Sequence, residues 1–181
     1  MSAATNFWIR WRVRVGYLAG VAAFWFARPQ MEWLFSGAGV AILGLIVRGY
    51  AAGHLRKHQQ LATSGPYAYT RNPLYLGSVL LAVGFCLASH SWVSTAILAA
   101  YLAVFYPAVI EREEGELKAL YGAAFAEYAA RVPAFWPRMF PGTHSIERFS
   151  WTLYRQNREY EATAGLVVAL AILWALMLWQ K

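Results

Sequence analysis

Charged positions are absent from long stretches of the chain, and the lengths of those stretches predict its elements. Residues 72–110 run for 39 positions without Lys, Arg, Asp or Glu, broken near the middle by Ser89-His90-Ser91. Two helices of about 18 residues, each rising about 1.5 Å per residue, nearly match a hydrocarbon core ~30 Å thick, so this stretch predicts a transmembrane hairpin. A further 19 uncharged positions, 162–180, predict one more span, with Trp174 and Trp179 toward an interface. Nearer the N-terminus the runs are shorter: 13 residues from Val15 to Ala27 and 15 from Trp33 to Val47, separated by Arg28-Pro29-Gln30-Met31-Glu32. Snorkelling of Arg14, Arg28 and Arg48, with Trp8, Trp11 and Trp33 at the interfaces, lets these two runs form a second, shorter hairpin. A cleaved signal peptide is disfavoured, because another apolar run follows at once and no small-residue cleavage site stands out. The expected fold is all-α, an integral membrane protein with about five transmembrane helices. Its regions read as an N-terminal hairpin over 1–47, a core of cytoplasmic loop, hairpin and amphipathic helix over 48–138, and an interfacial segment with a last span over 139–181.

Composition agrees with that pattern. Hydrophobic residues make up 59% of the chain and charged ones 14%, against about 45–50% and about 25% in soluble domains. The formal charge of +7 could suggest nucleic acid, but such a partner needs a polar basic face, and here the basic residues stand between apolar runs. With five spans, fourteen of the sixteen Lys and Arg residues fall on one side, leaving Arg28 and Lys181 for the other. That bias places the N-terminus and both long loops in the cytoplasm, in an inner (plasma) membrane. No nucleic-acid partner is expected. Cys86 is the single cysteine, which excludes an internal disulfide and a cysteine-based zinc site.

The connections carry the remaining signals. Gly65-Pro66 marks a turn, and Pro73 suits the first turn of a helix capped by Asn72, an end that favours an anionic group. After the fourth span, EREEGELKALYGAAFAEYAARV reads as an amphipathic helix with Leu117, Leu120, Tyr121, Ala124, Phe125 and Tyr128 on its apolar face. Glu114 with Lys118, and Arg112 with Glu116, fit i, i+4 surface pairs. Glu111, Glu113 and Glu114 crowd the membrane exit, where carboxylates need partners. Pro133, Pro137 and Pro141 close that helix, and residues 143–161 suggest an interfacial helix. Gly16 and Gly20 form a small-xxx-small pair suited to close helix packing.

Several chemistries find no support. Gly37-Ala38-Gly39 lies inside a span, without the strand that a dinucleotide fingerprint requires. His54 and His58 share a helical spacing but have no carboxylate or thiol nearby, so interfacial histidines are favoured over a metal site. What remains is Tyr67, Tyr69, Arg71, Asn72, Pro73 and Tyr75 at the mouth of the third span, and the Glu cluster at the exit of the fourth. One hairpin brings both groups to the same surface. Tyrosine rings can stack on a purine or approach a sulfonium, Arg71 and helix N–H groups can take a carboxylate, and Glu can accept from ribose or an amine.

Gly65-Pro66-Tyr67, then Arg71-Asn72-Pro73-Leu74-Tyr75-Leu76-Gly77, and later Glu113-Glu114, Leu117, Tyr121-Gly122, Tyr128 and Val132-Pro133 resemble the integral-membrane methyltransferases of the isoprenylcysteine carboxyl methyltransferase and phospholipid methyltransferase superfamily. The resemblance covers roughly residues 48–138 and implies S-adenosylmethionine as cofactor, held by cytoplasmic connections while a lipid acceptor enters from the bilayer. Position by position it implies Gln59, Leu61, Ala62, Tyr67, Asn72, Pro73, Leu74, Tyr75 and Glu113 as cofactor contacts, beside Arg71. The family motif has His where this chain has Asn72, which cannot titrate near neutrality. The prenylcysteine branch has Arg where this chain has Val109.

The expected function is methyl transfer from S-adenosylmethionine to an oxygen or nitrogen of a lipid-like or small amphiphilic acceptor, with the lipid bilayer as partner and no metal. A carboxylate acceptor needs no base, whereas an amine acceptor needs one, for which Glu114 or His54 is the candidate. The alternatives are an NADPH-dependent membrane reductase of the sterol-reductase type and a non-catalytic membrane protein.

Overall fold

The computed structural model describes residues 3–56, 59–143 and 147–180, with side chains from residue 11 onward. His58, paired with His54 above, lies outside the described residues, as does the side chain of Trp8. Among the described residues there are seven α-helices and no strand: α1 (Ala3–Trp25), α2 (Met31–Ala52), α3 (Pro73–Ser89), α4 (Trp92–Tyr121), α5 (Ala123–Arg131), α6 (Trp151–Gln156) and α7 (Tyr160–Trp179). A 3-10 turn, Gly65–Ala68, precedes α3. By length and composition α2, α4 and α7 can each cross a membrane, and α3 is a shorter apolar helix of 17 residues.

The tightest seam joins α2 and α3. Gly37, Ala41 and Gly44 on α2 meet Gly77, Gly84 and Ala88 on α3, in antiparallel order. A Cβ on Gly84 would stand 2.6 Å from the backbone nitrogen of Ala41 and the carbonyl of Gly37, and one on Gly44 would stand 2.7 Å from the carbonyl of Gly77. Only hydrogen fits there, so the two backbones come into direct contact, as small-residue stripes allow in apolar surroundings. The sequence reading placed close packing at Gly16 and Gly20 instead. Gly16 does lie under the ring of Tyr101, but a Cβ on Gly20 would meet nothing.

The second pair is α1 with α4. Ser94 Oγ donates to the Ala23 carbonyl at 2.7 Å, and Phe24 meets Phe85 of α3 edge-on with centroids 4.9 Å apart, linking the two pairs. Leu173 and Met177 of α7 close over Ala27, Leu34 and Ala88. Outward-facing Leu18, Val21, Phe35, Leu43, Val167 and Val168 are exposed, an apolar exterior that fits lipid as solvent.

The helix ends sort into two groups. At one end Arg28 N donates to the Ser89 carbonyl at 2.7 Å and Gln180 Nε2 to that of Ala27 at 3.2 Å, while His90 stacks on Trp33 with centroids 5.2 Å apart. The opposite end gathers the C-terminus of α2, the first turn of α3 and the start of α7.

Three local expectations change. The segment from Glu111 is no separate helix: α4 continues through Pro107 and the acidic cluster to Tyr121, and the break comes at Gly122, whose φ of 50° suits glycine. The chain turns there, so Leu117 and Tyr121 pack on Phe125, Tyr128 and Val132, while Leu120 and Ala124 face outward. Residues 147–161 hold only the six-residue α6 and the start of α7, not one long interfacial helix. Asn72 stands at the N-cap position of α3 but its side chain does not cap, because its amide is drawn to other partners.

Candidate functional site

The segment before α3 is shaped by one close approach. Gly65 has φ 56°, and a Cβ there would lie 2.7 Å from the His54 ring, so glycine is required on both counts. The turn buries Tyr67, whose carbonyl accepts from the Tyr128 hydroxyl of α5 at 2.8 Å. Burial pushes the Tyr67 phenol well above its ordinary pKa, with Tyr128, Glu113 and Glu159 adding in the same direction. Burial also raises that of Tyr128. Both stay neutral hydroxyls at physiological pH.

Beyond α5 the chain runs back along this turn as an irregular strap, residues 132–142. Arg71 N donates to the Pro133 carbonyl at 2.9 Å, Arg138 N to that of Tyr69 at 3.0 Å and Gly142 N to that of Ala68 at 2.7 Å. Thr70 Oγ1 donates to the Phe135 carbonyl at 2.9 Å.

The two sequence motifs meet here. Arg71 grips Glu114 with Nε on Oε1 at 2.8 Å and Nη2 on Oε2 at 2.9 Å, and its Nη1 donates to the carbonyls of Ala129 and Val132 at 3.0 and 2.9 Å. The Asn72 amide donates to Glu114 Oε1 at 3.2 Å and to the Ala134 carbonyl at 2.9 Å. The carboxylate that Arg71 binds is therefore that of Glu114, where the spacing had suggested a surface pair with Lys118. Of the two i, i+4 pairs, Arg112 with Glu116 forms, at 2.7 Å. Glu113, one residue before Glu114, is exposed and accepts from the Tyr75 hydroxyl at 2.5 Å. Adjacent carboxylates thus have different surroundings: Glu114 is bound on both oxygens within the protein, and Glu113 reaches outward from a tyrosine.

The other sequence candidates fall around this centre. Pro73 is buried at the start of α3, Leu74 is half-buried, Gln59 is exposed, Ala62 is half-buried and Leu61 packs on the Phe125, Tyr128 and Val132 cluster. His54 stands apart from the Glu cluster: it is buried, with Nδ1 2.8 Å from the Tyr50 carbonyl and Nε2 3.2 Å from that of Glu147. Both ring nitrogens face backbone oxygen, an arrangement that braces the loop and leaves no lone pair directed at the carboxylates. No group of three or more His, Cys, Asp or Glu side chains among the described residues could hold a metal ion. An open cavity of about 670 Å³ lined by Phe24, Trp25, Arg28, Leu176, Trp179 and Gln180 lies at the opposite end and takes no part in this site.

One cluster escaped the sequence reading. Arg48 of α2 binds the buried Glu159 ahead of α7, Nε to Oε1 at 2.5 Å and Nη2 to Oε2 at 3.0 Å, and its Nη1 donates to Ser78 Oγ and to the Leu74 carbonyl at 3.4 Å. Ser78 Oγ in turn donates to the Leu74 carbonyl at 2.9 Å. The signal was present: Arg48 ends one apolar run and Glu159, with Glu161, stands just ahead of another at the same end, and boundary charges seek each other.

Residues 15–124 match the phospholipid methyltransferase family, and the chain belongs to that family. It is 37% identical over 138 residues to a cobalt-zinc-cadmium resistance protein of Cupriavidus metallidurans, a match covering 71% of this chain and 62% of that protein. It is 43% identical over 84 residues to a nickel-cobalt-cadmium resistance protein of Alcaligenes xylosoxydans xylosoxydans, covering 46% and 39%. With protein-S-isoprenylcysteine O-methyltransferase B of Arabidopsis thaliana it shares 31% over 132 residues, covering 65% and 66%. The matches thus span about two fifths to two thirds of these relatives' lengths. No solved structure matches the chain.

Proposed function

We propose that this chain is an S-adenosylmethionine-dependent methyltransferase of the membrane, acting on an oxygen or nitrogen of a lipid-like or small amphiphilic acceptor. The observation that carries the reading is the meeting of the two motif segments: Tyr75 on Glu113, beside Arg71 and Asn72 on Glu114, at one end of the α3–α4 hairpin. Family membership and the isoprenylcysteine methyltransferase among the relatives support it. In this reading α1, α2, α3, α4 and α7 all cross the bilayer of an inner (plasma) membrane, with the N-terminus and the carboxylate cluster cytoplasmic.

The residues fit such a cofactor. Glu113 is an accessible carboxylate for ribose hydroxyls or an amino group, Tyr75 fixes its direction, and Leu74 and Tyr75 offer first-turn N–H groups that no helical carbonyl can take. When bound, the cofactor supplies an electrophilic methyl on a sulfonium that is already a good leaving group. The protein's own task is then to align the acceptor and exclude water. Arg71 and Asn72 act by holding Glu114, α4 and the strap in register, so that Glu113 meets α3 at a fixed distance. Gln59, Leu61, Ala62, Tyr67 and Pro73 complete the cofactor's surroundings in this reading. Glu114 and His54, the base candidates for a protonated amine acceptor, are both held by internal partners, which favours an acceptor that needs no base.

Titration of the purified protein with S-adenosylhomocysteine and with NADPH tests it. Saturable binding of the first and none of the second is expected; the reverse would establish the reductase reading, and binding of neither the non-catalytic one. Incubation with labelled cofactor and a host lipid and small-molecule extract then identifies the acceptor.

A further inference from the structure

We infer that the strap over residues 132–142 is a membrane-docking element, its tip seated in the headgroup region of the leaflet on the side of the carboxylate cluster. The inference rests on the reading of the chain as a membrane protein and adds a surface that this reading does not assign. Trp136, Met139 and Phe140 are 77%, 90% and 76% exposed, three large apolar side chains within five residues on a segment with no helix to bury them. Pro133, Pro137 and Pro141 keep this stretch from continuing α5 or joining a helix. Its inward edge is fixed by the hydrogen bonds to Ala68, Tyr69, Thr70, Arg71 and Asn72, so the outward face has one direction.

The depth of that face follows from α3. Its 17 residues rise about 25 Å, less than a ~30 Å hydrocarbon core. A spanning helix that short has its first turn at the hydrocarbon boundary, since mismatch is costly. Tyr69 and Ala68, the strap's backbone partners, lie only a few residues before Pro73, so the strap is held at the same level. A Trp and a Phe flanked by the exposed Arg138 have the chemistry of that layer, rings at the headgroups and a cation beside lipid phosphate. A bilayer is thus the occupant that the position and the charge favour. The consequence for the site is that Arg71 and Asn72, through the strap, set Glu113 and Tyr75 at the depth where an amphiphile's polar head lies.

The test uses the full chain with its single cysteine removed. Cys86→Ser carrying Met139→Cys is labelled with a polarity-sensitive nitrobenzoxadiazole dye and reconstituted in phosphatidylethanolamine and phosphatidylglycerol vesicles carrying nitroxides either near the headgroup or deep on the acyl chain. Val168→Cys on α7 is the lipid-facing control and Ala126→Cys on α5 the aqueous one; all three positions are exposed, so folding is not at stake. The expected result is at least twofold stronger quenching by the shallow nitroxide at 139 than at 126, with a blue-shifted emission. Iodide quenching at 139 equal to that at 126, with lipid-insensitive emission, overturns the proposal. So does protection from both quenchers, which would mean that a protein surface covers the strap. If position 168 escapes the acyl-chain nitroxide, the membrane reading itself fails and the docking inference with it.

Discussion

Arg71 and Glu114 face each other as a two-point pair, with Nε and Nη2 of the guanidinium 2.8 and 2.9 Å from the two carboxylate oxygens. The third nitrogen is spent on carbonyls of α5 and the residue after it, so one side chain joins the start of α3, the C-terminal end of α4 and the strap. The pair is largely buried, at 15% and 23% exposure, and breaking it leaves a charge uncompensated. Arg71→Lys keeps the charge but loses the planar fork and its fixed donors. Thermal unfolding in detergent should show Arg71→Lys and Glu114→Gln each less stable, by about 2 kcal/mol. An unchanged melting temperature for both would refute the structural role.

Glu113 should behave in the opposite way. Its exposed carboxylate is held by the Tyr75 hydroxyl, and surface substitutions usually move stability by less than about 0.5 kcal/mol. Glu113→Gln is expected to keep the melting temperature while weakening S-adenosylhomocysteine at least tenfold, about 1.4 kcal/mol of binding. Tyr75→Phe should weaken it less, because the carboxylate remains and only its direction is lost. Equal effects of Glu113→Gln and Glu114→Gln on both readouts would remove the division of labour between the two carboxylates.

That division was not legible in the sequence, although both residues were. Adjacent glutamates have the same chemistry but point to different sides of α4. Which side meets Tyr75 and which meets Arg71 and Asn72 is set by the pairing with α3, while the turn at Gly122 folds α5 back so that the carbonyls of Ala129 and Val132 hold Arg71 in place. The motif residues and the apolar runs could be read directly, since hydrophobic length and turn chemistry are local. Non-local relations were lost: Arg48 to Glu159 is separated by 111 positions, and the strap's bonds to residues 68–72 have no periodic signature. The glycine seam was missed for a related reason, because Gly37, Gly44, Gly77 and Gly84 gain meaning only when their helices are paired.

That seam makes its own prediction. Gly84→Ala places a methyl 2.6 Å from backbone atoms of α2, which cannot move aside as a side chain tip could. Overpacking of this kind costs about 1–3 kcal/mol, and Gly84→Leu should prevent folding. Gly39→Ala, on α2 with nothing within 4 Å of the new methyl, should be neutral or add up to about 1 kcal/mol of helix propensity. Equal melting temperatures for Gly84→Ala and Gly39→Ala would mean the seam is looser than described.

Alkaline pH tests the buried tyrosines. Burial raises the phenol pKa of Tyr67 and Tyr128 in the folded protein, while in the unfolded chain they titrate near about 10. The folded state therefore holds protons that the unfolded state releases, and stability present below that value is lost as pH rises through it. Melting temperature should be flat below about pH 9 and fall above pH 10. Tyr128→Phe loses the hydrogen bond to the Tyr67 carbonyl and should be about 1 kcal/mol less stable at neutral pH, yet fall less steeply in alkali. Parallel curves for the two proteins would assign the alkaline loss to other groups.

The Arg48 and Glu159 pair offers a test of how α7 is attached. Glu159 is 6% exposed and Arg48 23%, and the guanidinium also holds Ser78 and the Leu74 carbonyl in the first turns of α3. Removing the carboxylate charge leaves that cation without its counterion while its bonds to α3 persist. Glu159→Gln should therefore destabilise by about 3 kcal/mol, and α7 should loosen before the α2–α3 seam does. Hydrogen exchange would show this as early loss of protection in residues 160–166 with the amides of α3 still protected. Arg48→Lys with Glu159 intact should lose less, since a single ammonium can still meet the carboxylate but cannot reach Ser78 at the same time. If Glu159→Gln instead exposed α3 and α7 together, the pair would be part of one cooperative unit with the seam, and α7 would have no separable attachment.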